Sequence, residues 1–194
     1  MEADRRQFFT QLGRTVAHAI GGAVERMRIE LDSSTDDAAQ RPPQGWIRPP
    51  GALPGAAFRA VCTRCTACQE VCPYQSIRRL GPECGADSGT PAIIPLESPC
   101  YLCADLPCIA ACEPGALRPM DRNHASMGRA ALRRDDCYIS AGQPCGYCVK
   151  RCPLTADAIG TGDDGVPVIH ADGCVGCGVC AYLCPAGAID IVPM

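Results

Sequence analysis

The chain has 194 residues, which is enough for one domain with a small appendage. Aromatic residues make up only 5% of the sequence while cysteine contributes 17 residues, so metal or disulfides rather than an apolar core must hold the fold together. A formal net charge of −3, with no long run of Lys or Arg, gives no indication of nucleic-acid binding, and no stretch of about eighteen apolar residues predicts a transmembrane helix.

Residues 1–27 have the pattern of an amphipathic helix, with Phe9, Leu12, Val16 and Ile20 recurring at helical spacing. The segment Asp4-Arg-Arg-Gln-Phe-Phe9 fits a twin-arginine export signal, although charged residues occupy the place of a cleavage region. The alternative is an uncleaved helix that lies on a membrane surface or a partner, with the protein in the cytoplasm. We prefer export with retention at the membrane, which predicts a membrane-associated, periplasmic protein.

Residues 28–57 are first polar and then rich in proline, which is typical of an extended, semi-rigid linker. The single tryptophan, Trp46, lies in this segment and either anchors it on the following domain or marks a docking point. Residues 58–194 contain every cysteine and are predicted to be the functional domain.

Sixteen of the seventeen cysteines fall into four runs of four, numbered here in chain order. Run 1 has Cys-x2-Cys-x2-Cys-x3-Cys spacing and run 4 repeats it, while run 2 has x2-x4-x3 and run 3 has x7-x2-x3 spacing. Proline follows the last cysteine of every run except run 2, where Glu113 stands instead. The runs consist of Cys62, Cys65, Cys68 and Cys72; Cys100, Cys103, Cys108 and Cys112; Cys137, Cys145, Cys148 and Cys152; and Cys174, Cys177, Cys180 and Cys184.

This spacing is typical of [4Fe–4S] ligands, because three closely spaced thiolates wrap around one cubane while the fourth ligates the neighbouring cluster. The sixteen cysteines therefore predict four [4Fe–4S] clusters, with the fourth cysteine of each run beginning a short helix whose first turn accepts the proline. Zinc prefers two separated cysteine pairs, and a disulfide framework explains neither the repeated spacing nor the odd cysteine total. The seventeenth cysteine, Cys84, is interpreted as a bystander thiol rather than a substitute ligand.

Short apolar segments between the runs predict strand–turn–strand units. The clearest lies between runs 3 and 4, at residues 158–159 and 166–170; others are predicted at residue 77 with 92–94 and at residues 116–117 with 127–132, and a last strand covers 188–192. The predicted fold class is α+β, with tandem ferredoxin-like modules of two clusters each. No open iron site is evident, so the chain is predicted to carry electrons and not to be an enzyme.

Several motifs resemble those of the NapG/MauM ferredoxin-type proteins: Arg48-Pro-Pro-Gly-Ala-Leu-Pro54, Cys62-Thr-Arg-Cys65, Val71-Cys-Pro-Tyr74, Gly89-Thr-Pro91 and the spacing of run 2. The resemblance covers residues 48–194. The end of the chain is also similar to shorter NapF-type proteins, and run 2 resembles that of the four-cluster electron-transfer subunits of molybdopterin oxidoreductases.

The NapG/MauM resemblance implies four [4Fe–4S] clusters and electron transfer from a membrane quinol-oxidising partner towards a terminal reductase. The alternative is a permanent electron-transfer subunit of a molybdopterin-type oxidoreductase complex. Similarity to those subunits implies nested pairing, run 1 with run 4 and run 2 with run 3, whereas sequential pairing joins run 1 with run 2 and run 3 with run 4. We prefer the nested arrangement, in which residues 57–61 form a strand that pairs with residues 188–192.

Bound clusters would also change the net charge of the protein. Ligation removes sixteen thiol protons and four oxidised cores return two positive charges each, so the loaded protein carries about −11. Three basic pairs lie next to the runs and either moderate this charge or are ordinary solvated residues: Arg78-Arg79, Arg133-Arg134 and Lys150-Arg151. Folding is expected to depend on cluster assembly.

Overall fold

The structure, a computed structural model, describes residues 45–194. This part of the chain combines short helices with three two-stranded antiparallel sheets, which confirms the α+β class. The predicted amphipathic helix at residues 1–27 and the first part of the predicted linker lie outside the described residues. Within residues 45–194, no helix is both long and apolar enough to cross a membrane.

Four of the five α-helices in residues 45–194 are single turns, and each carries the third cysteine of a run. The first helix, α1, spans Gly55–Val61; the single-turn helices are α2 (Ala67–Glu70), α3 (Pro107–Ala110), α4 (Tyr147–Lys150) and α5 (Val179–Tyr182). Helices this short are not stable alone, so the surroundings must hold them in place. The prediction that the fourth cysteine begins a helix is wrong, because the fourth cysteine follows the end of the helix in every run.

Two of the three sheets are hairpins between consecutive strands. Strand β1 (Ile77–Arg79) pairs with β2 (Pro91–Ile93), and β4 (Ile159–Thr161) pairs with β5 (Pro167–Ile169). Both confirm the predicted strand–turn–strand units, one between runs 1 and 2 and the other between runs 3 and 4.

The third sheet joins segments that are distant in sequence. Strand β3 (Gly128–Leu132) pairs with the last strand, β6 (Ile189–Pro193), so that the chain before run 3 is held against the chain after run 4. The predicted pairing of residues 116–117 with 127–132 is therefore wrong, and Leu117 forms an isolated bridge with Ala52 instead.

The predicted strand at residues 57–61 is also wrong, since these residues belong to α1. The three alanines of α1 favour a helix, and this helix places Phe58 fully inside the domain. The partner expected for this strand, residues 188–192, is occupied by β3.

Residues 45–54 lie on the domain, although they belong to the predicted linker. Ile47 and Ile93 exchange two backbone hydrogen bonds of 2.8 Å, and Pro49 and Pro50 are fully buried. The ring of Trp46 stacks on Arg48 of the same segment, and both roles considered for Trp46, anchor and docking point, stay predictions.

Arg48 connects this stretch to the rest of the domain. Its guanidinium carbon lies 4.6 Å from the ring centre of Trp46 and 4.5 Å from that of Phe58. The same group forms an ion pair with Asp87 and donates a hydrogen bond of 2.7 Å to Thr90. One half-buried cation therefore joins three separate segments through stacking and hydrogen bonds.

The largest buried cluster of apolar side chains includes cysteines from all runs except run 3, among them Cys68, Cys108 and Cys177. Two smaller clusters surround the cysteines of run 3 and the end of run 4. The cysteine side chains are thus part of the core, as the scarcity of aromatic residues requires.

Gly176 provides a test of close backbone packing. Its φ is +71°, and a Cβ at this position would lie 2.2 Å from the carbonyl carbon of Gly128, the first residue of β3. Gly115 has a similar φ of +75° but no atom within 4 Å of its Cβ position. We expect Gly176→Ala to lower the free energy of unfolding by about 1–3 kcal/mol more than Gly115→Ala, because only the first change adds a clash to the backbone strain. Thermal unfolding followed by circular dichroism measures the difference, and equal losses in the two variants would contradict the packing described.

Candidate metal centres

The sixteen cysteines of the four runs surround four separate cavities. Each cavity is lined by the first three cysteines of one run and the last cysteine of another, and each is numbered here by the run that supplies three. Cavity 1 is lined by Cys62, Cys65, Cys68 and Cys112; cavity 2 by Cys72, Cys100, Cys103 and Cys108; cavity 3 by Cys137, Cys145, Cys148 and Cys184; and cavity 4 by Cys152, Cys174, Cys177 and Cys180.

This grouping is sequential: runs 1 and 2 exchange their last cysteines, and so do runs 3 and 4. The preferred nested pairing is wrong. Nested pairing required residues 57–61 to lie beside residues 188–192, but the first segment is helical and the second pairs with β3. The β3–β6 sheet instead closes runs 3 and 4 into one unit.

Cys84 lies outside all four cavities, in a 3₁₀ segment at Pro82–Asp87. Its sulfur lies 3.9 Å from a carboxylate oxygen of Glu83. This position agrees with the interpretation of Cys84 as a bystander thiol.

The four cavities have the ligand set of a metal cluster rather than of a single ion, because each is lined by four cysteines and otherwise mainly by apolar residues. Within residues 45–194, no three Cys, His, Asp or Glu side chains converge closely enough to hold one metal ion. The four cysteines of a cavity therefore surround a space and do not converge on one point. By contrast, the thiolates around a single zinc ion lie about 3.8 Å apart, because each Zn–S distance is about 2.3 Å.

None of the seventeen cysteines, all of which lie in the described part of the chain, forms a disulfide. Sixteen thiols thus remain available as ligands, four to a cavity. The donor set fits a [4Fe–4S] cluster, which takes four cysteine thiolates.

Burial destabilises the negatively charged thiolate form of these cysteines. Burial, together with smaller contributions from neighbouring cysteines, raises the pKa of Cys68, Cys100 and Cys177 to about 12 and that of Cys108 to about 11. Four thiolates in one buried cavity repel one another unless a positive charge lies between them. A positively charged iron–sulfur core held by these cysteines would supply that charge, and its ligation would then be coupled to folding.

The same turn follows the last cysteine of every run. The backbone N–H three residues later donates to the carbonyl of that cysteine, at 3.0 Å from Gln75, Gly115 and Gly187 and 3.1 Å from Thr155. These four residues all have positive φ values. Proline stands at the second position of the turn in three runs, where its fixed φ is suitable, and Glu113 takes this place in run 2. The proline after the fourth cysteine thus belongs to a turn, not to a helix start.

This turn directs backbone amides towards the cysteine sulfurs. Ser76 donates to the Sγ of Cys72 at 3.4 Å, and Ala188 donates to the Sγ of Cys184 at 3.3 Å. Leu117 donates to the Sγ of Cys112 at 3.3 Å. Such bonds stabilise negative charge on sulfur and are one of the means by which a protein sets the potential of a cluster. These backbone donors cannot be recognised from the pattern of side chains in the sequence. The repeated Cys-Pro dipeptide does indicate the turn that positions them.

A fourth donor comes from the sheet. Ala130 of β3 donates its backbone N–H to the Sγ of Cys174 at 3.5 Å. The long-range β3–β6 sheet therefore reaches cavity 4 as well as closing the unit.

Basic residues beside the runs form exposed ion pairs in three places: Arg78 with Glu97, Arg133 with Asp136 and Asp190, and Arg134 with Asp164. Exposed pairs of this kind contribute little to stability. Their carboxylate partners also offset part of their positive charge, which agrees with ordinary solvated residues.

Comparison with known proteins gives the same chemistry. A family model described as "4Fe-4S dicluster domain" matches residues 143–188, which include seven of the eight cysteines of runs 3 and 4. No solved structure matches the chain.

Curated relatives match nearly the whole chain. The methylamine utilization ferredoxin-type protein MauM of Paracoccus denitrificans is 37% identical, over 97% of this chain and 87% of that protein. The ferredoxin-type protein NapG of Escherichia coli is 34% identical, over 98% of this chain and 86% of that protein. The ferredoxin-type protein NapF of Escherichia coli is more distant, at 29% identity over 74% of this chain and 82% of that protein.

The repeated turn yields a stability prediction. Thr155 holds a β-branched side chain at φ +49°, where Gly187 stands at φ +60° in the equivalent turn of run 4. We expect Thr155→Gly to raise the free energy of unfolding by about 1 kcal/mol and Gly187→Thr to lower it by about the same amount, because left-handed backbone strain is removed in one case and added in the other. Thermal unfolding of the cluster-loaded protein measures both changes. A lower free energy of unfolding for Thr155→Gly and a higher one for Gly187→Thr would show that backbone strain in the turn does not determine stability at these positions.

Proposed function

Because the chain belongs to the MauM and NapG family of ferredoxin-type electron-transfer proteins, we propose that it carries four [4Fe–4S] clusters and relays single electrons between redox proteins. The observation that supports this number is the division of sixteen cysteines into four sets of four, each lining its own cavity. When bound, each cluster accepts and releases one electron without a change in its ligands.

In this proposal residues 58–194 form two tandem ferredoxin-like modules. Runs 1 and 2 with the β1–β2 hairpin make the first module, and runs 3 and 4 with the β4–β5 hairpin make the second. The exchange of the last cysteines supports this division, because each module completes its own two ligand sets. The sixteen cysteines act as iron ligands, and the amides of Ser76, Leu117, Ala130 and Ala188 adjust the charge on their sulfurs.

The proposed donor is a membrane protein that oxidises quinol, and the proposed acceptor is a terminal reductase. Membership of the MauM and NapG family supports this role. The alternative is a permanent subunit of a molybdopterin-type oxidoreductase complex. Purification of the native protein distinguishes the two: we expect the chain free of any catalytic subunit after a high-salt wash, and a stoichiometric catalytic subunit that survives the wash would favour the complex.

We further propose that residues 1–27 direct export, with the protein retained at the outer face of the cytoplasmic membrane and residues 28–57 linking this segment to the domain. The motif Asp4-Arg-Arg-Gln-Phe-Phe9 supports a twin-arginine route.

A reporter that is active only outside the cytoplasm, fused after residue 45, tests this proposal. We expect activity from the native segment and none when Arg5 and Arg6 are both replaced by Lys, because the twin-arginine route depends on that pair. A signal confined to a cytoplasmic reporter would show that the segment is a docking helix instead.

The cluster number is tested by metal analysis of the purified protein. We expect about sixteen iron atoms and sixteen sulfides per chain. Cys103→Ala should lose iron from one site because it removes a ligand of cavity 2, whereas Cys84→Ala should retain the full content because Cys84 lies outside the cavities. Fewer than four clusters in the native protein, shown by iron content and redox-titrated electron paramagnetic resonance, would disprove the proposed cluster number.

A further inference from the structure

We infer that the two modules exchange electrons where Cys100 meets Cys177, so that the cavities follow one another in the order 1–2–4–3. This inference rests on the proposed function, since it concerns the sites that the proposal fills with clusters. Cavities 2 and 4 are then the inner pair, and cavities 1 and 3 are the ends. The chain order of the runs, by contrast, suggests 1–2–3–4.

The main contact is a backbone hydrogen bond. The N–H of Cys100 donates to the carbonyl of Cys177 at 2.9 Å. Cys100 lines cavity 2 and Cys177 lines cavity 4. Two ligand residues of different modules are therefore joined directly through the main chain.

Glycine beside this bond allows the two loops to approach closely. Gly178 has a φ of +89°, and a Cβ at this position would lie 2.5 Å from the Cβ of Pro95. Pro95 precedes run 2, whereas Gly178 belongs to the loop of run 4. At position 178, the space between the two loops thus admits the hydrogen atom of glycine but no Cβ.

A second contact lies on the same side. Arg122 donates from Nη2 to the carbonyl of Pro153 at 3.3 Å. Pro153 lines cavity 4 and follows the ligand Cys152. Arg122 belongs to the segment that leads from run 2 towards β3, so it adds a link between the first module and cavity 4.

The clusters of buried side chains place cavity 3 at the far end. The largest cluster contains or contacts cysteines of cavities 1, 2 and 4, while three of the four cysteines of cavity 3 belong to or contact only the two smaller clusters. Cys152 and Cys180 of cavity 4 pack against the first of these smaller clusters, so cavity 4 adjoins cavity 3. At the opposite end, Cys65 of cavity 1 is an exposed cysteine.

The order has a direct consequence for electron transfer. One electron leaves a reduced donor protein at one end of the domain and reaches an oxidised acceptor protein at the other, with no bond formed or broken. Donor and acceptor then approach cavities 1 and 3, on different modules, and neither needs access to the contact between Cys100 and Cys177.

Two double variants of the full-length, cluster-loaded protein test the order. Cys145→Ala with Cys148→Ala empties cavity 3, and Cys174→Ala with Cys180→Ala empties cavity 4; iron analysis of the native protein first establishes that all four sites are filled. After full reduction, electron paramagnetic resonance reports which remaining clusters are magnetically coupled to a neighbour.

The order 1–2–4–3 predicts that emptying cavity 3 leaves three mutually coupled clusters, while emptying cavity 4 leaves cavity 3 with an isolated, uncoupled signal. The order 1–2–3–4 predicts the reverse, an isolated signal only when cavity 3 is empty, and that result would overturn the inference. Fewer than four clusters in the native protein would instead contradict the proposed function.

A pair of glycine variants provides an independent measurement that keeps all ligands. Gly178→Ala introduces the clash with Pro95. Gly142 has a similar φ of +75°, but no atom lies within 4 Å of its Cβ position, so Gly142→Ala serves as the control. We expect Gly178→Ala to slow the redistribution of electrons between the modules after photoreduction severalfold and Gly142→Ala to retain the native rate. Equal rates in the two variants would show that electrons do not cross at this contact.

Discussion

Four cysteine thiolates in one cavity repel one another. The rest of the structure depends on a positive charge that offsets this repulsion. Burial raises the pKa of several cavity thiols to about 11 or 12, so the protein alone disfavours the charged form that iron requires. An iron–sulfur core held by these cysteines would reverse this balance and would supply the cross-links that so few aromatic residues cannot. Single-turn helices and three-residue strands persist because they are attached to ligand cysteines rather than because they are stable themselves.

Spacing alone identified the sixteen cysteines that line the cavities, because three of the four cysteines of each cavity lie close together in sequence. The β1–β2 and β4–β5 hairpins were equally accessible to prediction, since each joins neighbouring apolar segments through a turn. Family membership then supported the electron-transfer role that the motifs had indicated.

Long-range pairing was not accessible in the same way. Strands β3 and β6 are short and only partly buried, and nothing in their residues selects each other among the remaining segments. The segment before run 1 was mistaken for a strand because it was assigned from its expected partner, although its alanines favour a helix. The nested pairing of runs followed from the resemblance to oxidoreductase subunits, and the strand at residues 57–61 was expected as its consequence. Which cysteines form a run is local information, whereas the pairing of runs depends on topology.

The exchange of last cysteines between neighbouring runs also bears on biosynthesis. Cavity 1 lacks its fourth ligand until residue 112 has been made, and cavity 3 lacks its own until residue 184 has been made. Strand β6 then has to reach β3 across the whole of runs 3 and 4 before the second module is closed. Each of these two cavities is therefore complete only after the following run has been synthesised, so clusters could not be inserted run by run into a nascent chain.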